Sequence, residues 1–267
     1  KLLSNAVLIL FTLCALLPFI LLIIASFTDE TAAVTNGYSF FPEKWSIGAY
    51  TYILKQWETI GRGYINTIFV TLVGTALSMV ITSLFAYTLS NDRLPGVRIL
   101  NFLCIFTMLF SGGQVASYYI WSNWFHIRDT IWALVFPGWM MSAFNVILVK
   151  NYYKTSIPAS LKEAAKIDGA GKIRLFCSVT LPMITSSFTI CITLTFTGLL
   201  KEFGTVMAAT GGGPAMASST VCMYIYDCLF SYNRAGYGQA VALAFMAVLV
   251  FIGTLMTNYF RKKEMEL

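Results

Sequence analysis

The chain is poor in the groups that carry most enzyme chemistry. It has one histidine, His126, among 267 residues, and only 11% of them are charged. A single imidazole builds no histidine metal site and has no Ser or Cys partner context, so His126 is expected as a surface or interface residue. The six cysteines (Cys14, Cys104, Cys177, Cys191, Cys222 and Cys228) are scattered, with no CxxC pair. That spacing excludes a zinc ribbon or thioredoxin-like redox motif. Cys222 and Cys228 lie six apart and are expected on different faces of a helix, unpaired. There is no HExxH, no GxSxG, no pair of carboxylates within an apolar segment and no Walker loop. No catalytic residue and no metal ligand is assigned. The buried acids and bases expected of an ion-driven transporter are also missing.

What the chain has in abundance is oil. It is 57% hydrophobic with mean hydropathy +0.71, and soluble domains carry roughly a quarter charged residues. Apolar runs long enough to cross a bilayer occur at Asn5–Phe27, Ile65–Ser90, Ile99–Trp121, Ile131–Tyr153, Met183–Phe203 and Gly238–Phe260. An all-α polytopic membrane protein with six transmembrane helices is expected. Ser111-Gly112-Gly113-Gln114 interrupts the third run and predicts a break or kink. Pro18 and Pro137 fall inside the first and fourth, where neighbouring helices satisfy the freed carbonyls. Asn5–Phe27 is long for a signal-peptide core and is expected to be retained. A chain opening on Lys1 is expected to lack its first residues.

Lys and Arg set the orientation. With the N-terminus inside, Lys1, Arg93, Arg98, Lys150, Lys154, Lys162, Lys166, Lys172, Arg174, Arg261, Lys262 and Lys263 fall on the inner side. Lys44, Lys55, Arg62, Arg128, Lys201 and Arg234 fall outside. Both termini are therefore expected in the cytoplasm, and the net charge of +6 reflects topology and contact with anionic lipid rather than nucleic acid. Residues 1–64 are expected as a first span with an outer segment, 65–260 as the transmembrane core, and 261–267 as a cytoplasmic tail. In the outer segment, Ser46–Leu54 is expected as a short surface helix with Trp45, Tyr50 and Tyr52 at the interface.

Two outer features stand out. Lys201-Glu202 puts ionisable groups at the end of the fifth span, where they either snorkel outward or line a polar path. Thr210-Gly211-Gly212-Gly213-Pro214 lacks the ending of a phosphate-binding loop and a flanking strand, so it is expected as an irregular loop dipping toward a cavity mouth. Met223–Phe230 is expected as a short helix after it.

Between the fourth and fifth spans lies the most polar stretch of the second half, Ser160–Pro182, inside a loop taken as 154–182. Ser160 and Glu163 have capping-box spacing. Leu161, Ala164, Ala165 and Ile167 give a short apolar stripe, Gly169 and Gly171 break it, and Ile173–Thr180 predicts a second helix. A helix–glycine–helix unit of this kind suits a groove on a partner protein, and its attached spans would follow the partner's movement.

This segment resembles the EAA signature of ABC-importer permeases. The matching positions are Glu163, Ala164, Ala165, Gly169, Val179 (where isoleucine is usual), Leu181 and Pro182. Ile157-Pro158, Ile167-Asp168-Gly169-Ala170, Asn66-Thr67, Ala86-Tyr87-Thr88-Leu89-Ser90 and Gly96-x-Arg98 are similar to the carbohydrate subgroup. Thr210–Pro214 and Tyr224-Ile225-Tyr226 resemble its outer loop. Met108-Leu109-Phe110-Ser111-Gly112-Gly113 departs from the usual proline-closed stretch and is similar to Gram-positive permeases for complex saccharides.

The resemblance implies a type I ABC importer permease fold in the plasma membrane. It implies a second permease chain, two ATPase subunits that hold the ATP and magnesium, and an extracellular or lipid-anchored solute-binding protein. This chain would bind no cofactor and would not itself be an enzyme. Glu163, Ala164, Ala165, Asp168, Gly169 and Ala170 would dock on the ATPase. For the solute path the expected residues are Tyr118, Trp121, Asn145 and Glu202, since aromatic faces and hydrogen-bonding side chains suit sugar rings. The expected solute is an oligosaccharide or similar polyol. Permeases for peptides, amino acids or phosphate, and a non-transport membrane assembly subunit, are the alternatives.

Overall fold

The computed structural model describes residues 2–110, 112–127, 130–139, 141–158, 160–161, 165, 167, 169, 171–213 and 216–265. Its regular elements are helical. Helix α1 (Leu2–Ser26) leads through the short helices α2 (Glu30–Asn36) and α3 (Gly48–Lys55) to the long α4 (Trp57–Ser90). Then follow α5 (Val97–Leu109), α6 (Gly113–Asn123), α7 (Trp132–Trp139) and α8 (Ala143–Thr155). After the loop come α9 (Lys172–Leu175), a π-helical turn (Phe176–Thr180), α10 (Leu181–Met183) and α11 (Thr185–Leu200). Helices α12 (Gly204–Ala209) and α13 (Val221–Tyr226) precede a second π-helical turn (Asp227–Ser231) and the closing α14 (Ala235–Met265).

Three helical stretches, Leu3–Ser26, Trp57–Ser90 and Ala235–Phe260, are each long and apolar enough to cross a membrane. The other three crossings are assembled from shorter pieces. The third breaks as expected: Phe110 is extended and Gly113 takes φ +77°. The fourth, expected as one helix over Ile131–Tyr153, is instead α7 followed by α8, with Ser142 extended between them. Pro137 removes one helical N–H within α7. The fifth is split by Ile184 and stops at Leu200, where the Lys201 N–H turns back to the Gly198 carbonyl at 3.2 Å. Helix α4 starts at Trp57, ahead of the expected Ile65.

Helix α1 is apolar all round, and its residues from Leu3 to Ile20 are exposed. Such a helix is stable only in lipid or against another chain. Helix α4 is the opposite case and forms the spine. Its buried face is small and hydroxylated, with Thr67, Thr71, Gly74, Ser78, Thr82 and Ala86, which lets neighbouring backbones approach closely in lipid. Leu199 of α11 fills the notch at Gly74, 2.9 Å from where a Cβ would stand.

Three apolar clusters lie along this spine. Met79, Ala86 and Leu89 of α4 meet Val146, Val149 and Tyr153 of α8 and Cys191 of α11. Nearer the other end, Val70 meets Leu134 and Val135 of α7, Val206 of α12 and Met223 of α13. Ile60, Val221, Tyr224, Val241 and Phe245 close that end.

Candidate functional site

Two regions of the bundle carry polar groups in unusual places. The first is the bend where α11 stops. Glu202, expected on a solute path, is turned into the next helix: its Oε1 accepts the Thr205 N–H at 2.8 Å. A carboxylate there satisfies an otherwise orphaned donor at the start of α12. Helix α12 packs against both α6 and α7. Helix α6 brings the half-buried Tyr118 and Trp121, and the Trp121 ring meets Phe125 at 4.7 Å and Phe136 at 6.1 Å. Three of the four expected path residues thus share one region. Asn145 does not join them. It is 3% exposed and donates from Nδ2 to Thr195 Oγ1 at 2.9 Å, tying α8 to α11 inside the bundle.

The glycine loop that follows α12 is built as its sequence requires. Gly211, Gly212 and Gly213 take φ +56°, +92° and +73°, a region open to glycine at little cost. A Cβ on Gly213 would also strike the Ser218 hydroxyl. Pro214 lies outside the described residues. Asn66 and Thr67 of α4 latch the return of this loop. Asn66 Nδ2 donates to the Ala217 carbonyl at 2.8 Å and the Ser219 carbonyl at 3.0 Å, and Thr67 Oγ1 accepts the Val221 N–H at 3.2 Å. The latch was not assigned from sequence beyond the resemblance, because its partners lie about 150 residues away in the chain.

Beyond the latch, the same end carries the segment between α1 and α4. A bridge between Thr28 and Trp45 closes it, with Lys44 paired to Asp29 at 3.2 Å. The Thr31 hydroxyl and Lys44 ammonium hold the Asp29 carboxyl below its usual range. The Glu30 carboxylate faces the first N–H groups of α14, at Gly236 and Tyr237. Burial nonetheless outweighs them and raises its pKa. Tyr38 beside it is pushed up to about 12 by burial and then by the Glu30 charge. Tyr52 stacks on Tyr237 at 4.3 Å, with the Arg234 guanidinium over both rings.

The second region is the opposite end, between α8 and α11. Leu161 donates its N–H to the Pro158 carbonyl at 3.2 Å and Ser160 is already helical. Ser160 therefore lies inside the helical turn rather than capping it. Ile167 is 86% exposed, an unusual position for a bare isoleucine side chain, and Leu161 is exposed as well. Gly169 has φ +77°. Ala165 is half-buried. Glu163, Ala164, Asp168 and Ala170 lie outside the described residues.

Behind the loop the packing is continuous. Phe176 of the π-helical turn meets Tyr87 of α4 edge-on at 5.7 Å, and Tyr87 meets Tyr153 of α8 at 5.5 Å. Tyr153 OH and Ser83 Oγ are 3.0 Å apart. Lys154 at the end of α8 holds both carboxylate oxygens of Asp92 at 2.7 Å, which lowers the Asp92 pKa.

Residues 94–265 match the model of the family described as binding-protein-dependent transport system inner membrane component. The chain belongs to that family. Among curated inner membrane components, it is similar to the polygalacturonan/rhamnogalacturonan transport system permease protein YtcP of Bacillus subtilis, at 40% identity over 66% of this chain and 60% of that one. It is also similar to protein LplC of the same organism, at 36% identity over 63% of this chain and 56% of that one. The match thus spans less than two thirds of either relative. A third relative, the probable starch degradation products transport system permease protein AmyD of Thermoanaerobacterium thermosulfurigenes, is 28% identical over 75% of this chain and 72% of that one. In three dimensions the chain overlays on a bacterial ABC transporter involved in the import of the acidic polysaccharide alginate. That overlay has TM-score 0.80 and 26% identity, and covers 97% of this chain and 95% of that one. The all-helical fold expected from sequence is therefore the inner membrane component fold.

Proposed function

We propose that this chain is one half of the membrane pathway of an ATP-driven importer for oligosaccharides, paired with a second permease chain. Two ATPase subunits drive it from the cytoplasm, and a binding protein delivers solute from outside. The relatives named for saccharide transport support the solute class. Both termini lie in the cytoplasm in this proposal, as the Lys and Arg distribution favours. The chain itself binds no nucleotide and catalyses no reaction.

The observation that carries the proposal is the loop between α8 and α9. Leu161 and Ile167 stand exposed on it, Ile167 above all, as apolar side chains do on a helix that seats in a partner's groove. Directly behind it, Phe176, Tyr87 and Tyr153 form an unbroken ring contact into α4 and α8. In close-packed interiors a push on the loop moves those helices together rather than being absorbed. Glu163, Ala164, Ala165, Asp168, Gly169 and Ala170 form the docking surface in this account, with Gly169 allowing the bend.

A photo-activated cross-linker placed at Ile167 tests it in whole membranes. Labelling of a nucleotide-binding subunit is the expected result. Labelling from the extracellular side, or of lipid alone, contradicts it.

A further inference from the structure

Lys201 stands deeper than its place at a helix end suggests. Its neighbour Leu199 packs on Gly74 of α4, and Val206, just beyond it, packs with Val70. From Arg62, the last charged residue at that end of α4, to Val70 and Gly74 is about 12–18 Å of helix rise. The hydrocarbon core of a bilayer is about 30 Å thick. Lys201 therefore lies farther in than a lysine snorkels from the interface.

Its direction is also set. On α11 the buried residues Cys191, Thr195 and Leu199 face α4 and α8, whereas Ile190 and Leu194 are exposed, as is Lys201 just past the helix end. An ammonium at that depth is unstable against lipid tails, so its surroundings are water or an anion. Among the described residues no carboxylate stands within ion-pairing distance of it. The adjacent Glu202 spends one carboxylate oxygen on the Thr205 N–H at the start of α12.

We propose that Lys201 lines the solute path and supplies the counter-charge for a carboxylate-bearing saccharide, a uronic-acid oligosaccharide. The inference rests on the saccharide importer proposed above and adds its solute class. A charge-assisted hydrogen bond to a uronate is strong in a low-dielectric path, and a neutral sugar does not offset the cost of placing the ammonium there. The half-buried ring of Tyr118 on α6, which packs against α12, offers an aromatic face to the same chain of sugars. At this depth the lipid headgroups are out of reach, and the solute is the anion this proposal assigns.

The test uses the whole transporter with its binding protein in proteoliposomes, and the variants Lys201→Gln and Lys201→Arg. Uptake is read with tri-galacturonate, with its methyl ester, and with neutral malto-oligosaccharides. Wild type is expected to favour the acid. Lys201→Gln is expected to lose about tenfold of acid uptake with assembly and ester uptake unchanged, and Lys201→Arg to retain acid uptake. Equal loss for acid and ester, no loss, or a drop in assembly that points to an acidic partner chain overturns the inference and leaves saccharide import standing. Wild-type uptake of neutral sugars alone overturns it likewise. Failure to import any of these sugars overturns the importer proposal itself.

Discussion

Asn66 holds the Ala217 carbonyl at 2.8 Å, and through it the far loop of the bundle is fastened to the middle helix. The same amide also donates to Ser219. Asn66→Leu leaves two carbonyls without that donor, and the latch should weaken by about 0.5–1.5 kcal/mol. The expected sign is faster proteolysis within residues 210–220, with thermal unfolding of the rest of the bundle little changed. Limited proteolysis of the detergent-solubilised protein measures both.

Asn145 gives a contrasting case, because its amide is spent inside the bundle on Thr195. Interhelical side-chain bonds in membrane proteins average about 0.6 kcal/mol. Asn145→Ala should therefore lower the melting temperature slightly and leave the order of preference among imported saccharides as it was. Competition uptake assays with several oligosaccharides check the second half. A changed preference order would return Asn145 to the solute path.

Glu30 gives a pH dependence with a definite sign. Burial raises its carboxyl pKa in the folded protein above its ordinary 4.5. The folded state therefore binds the proton more tightly than the unfolded chain. The stabilisation is fully present below about pH 4.5 and is lost as pH rises through the higher folded value. The contact between α2 and the start of α14 should loosen over that window. The melting temperature of wild type relative to Glu30→Gln should fall as pH is raised from 4.5 to 7. A difference that is flat with pH, or rises, contradicts the assignment.

The membrane class, most of the crossings and the polar loop between α8 and α9 were legible in the sequence, because those depend on local composition. Apolar runs of span length are visible directly, and the break before Gly113 is written in Ser111-Gly112-Gly113. The break between α7 and α8 was less visible. Pro137 is tolerated in many membrane helices, and only the tertiary path shows where the chain leaves the helix. Site residues were harder still. Asn145 looks like a path residue until Thr195, fifty positions away, is seen to hold it. Glu202 and Lys201 look like a plain helix-end pair until Leu199 is seen packed on Gly74 and the Glu202 carboxylate is seen to cap α12 at Thr205. The latch of Asn66 on Ala217 leaves no local pattern at all.

The central claim is that the bend at Gly169 receives the work of ATP hydrolysis. Its backbone sits at φ +77°, and a residue with a Cβ is disfavoured there by roughly 1–2 kcal/mol. The most direct measurement is solute uptake by the complete transporter carrying Gly169→Val, a β-branched residue that resists this backbone region, normalised to the amount of assembled complex in the membrane. Uptake should fall at least about tenfold while the chain remains at its normal level. Uptake equal to wild type at that level would contradict the account.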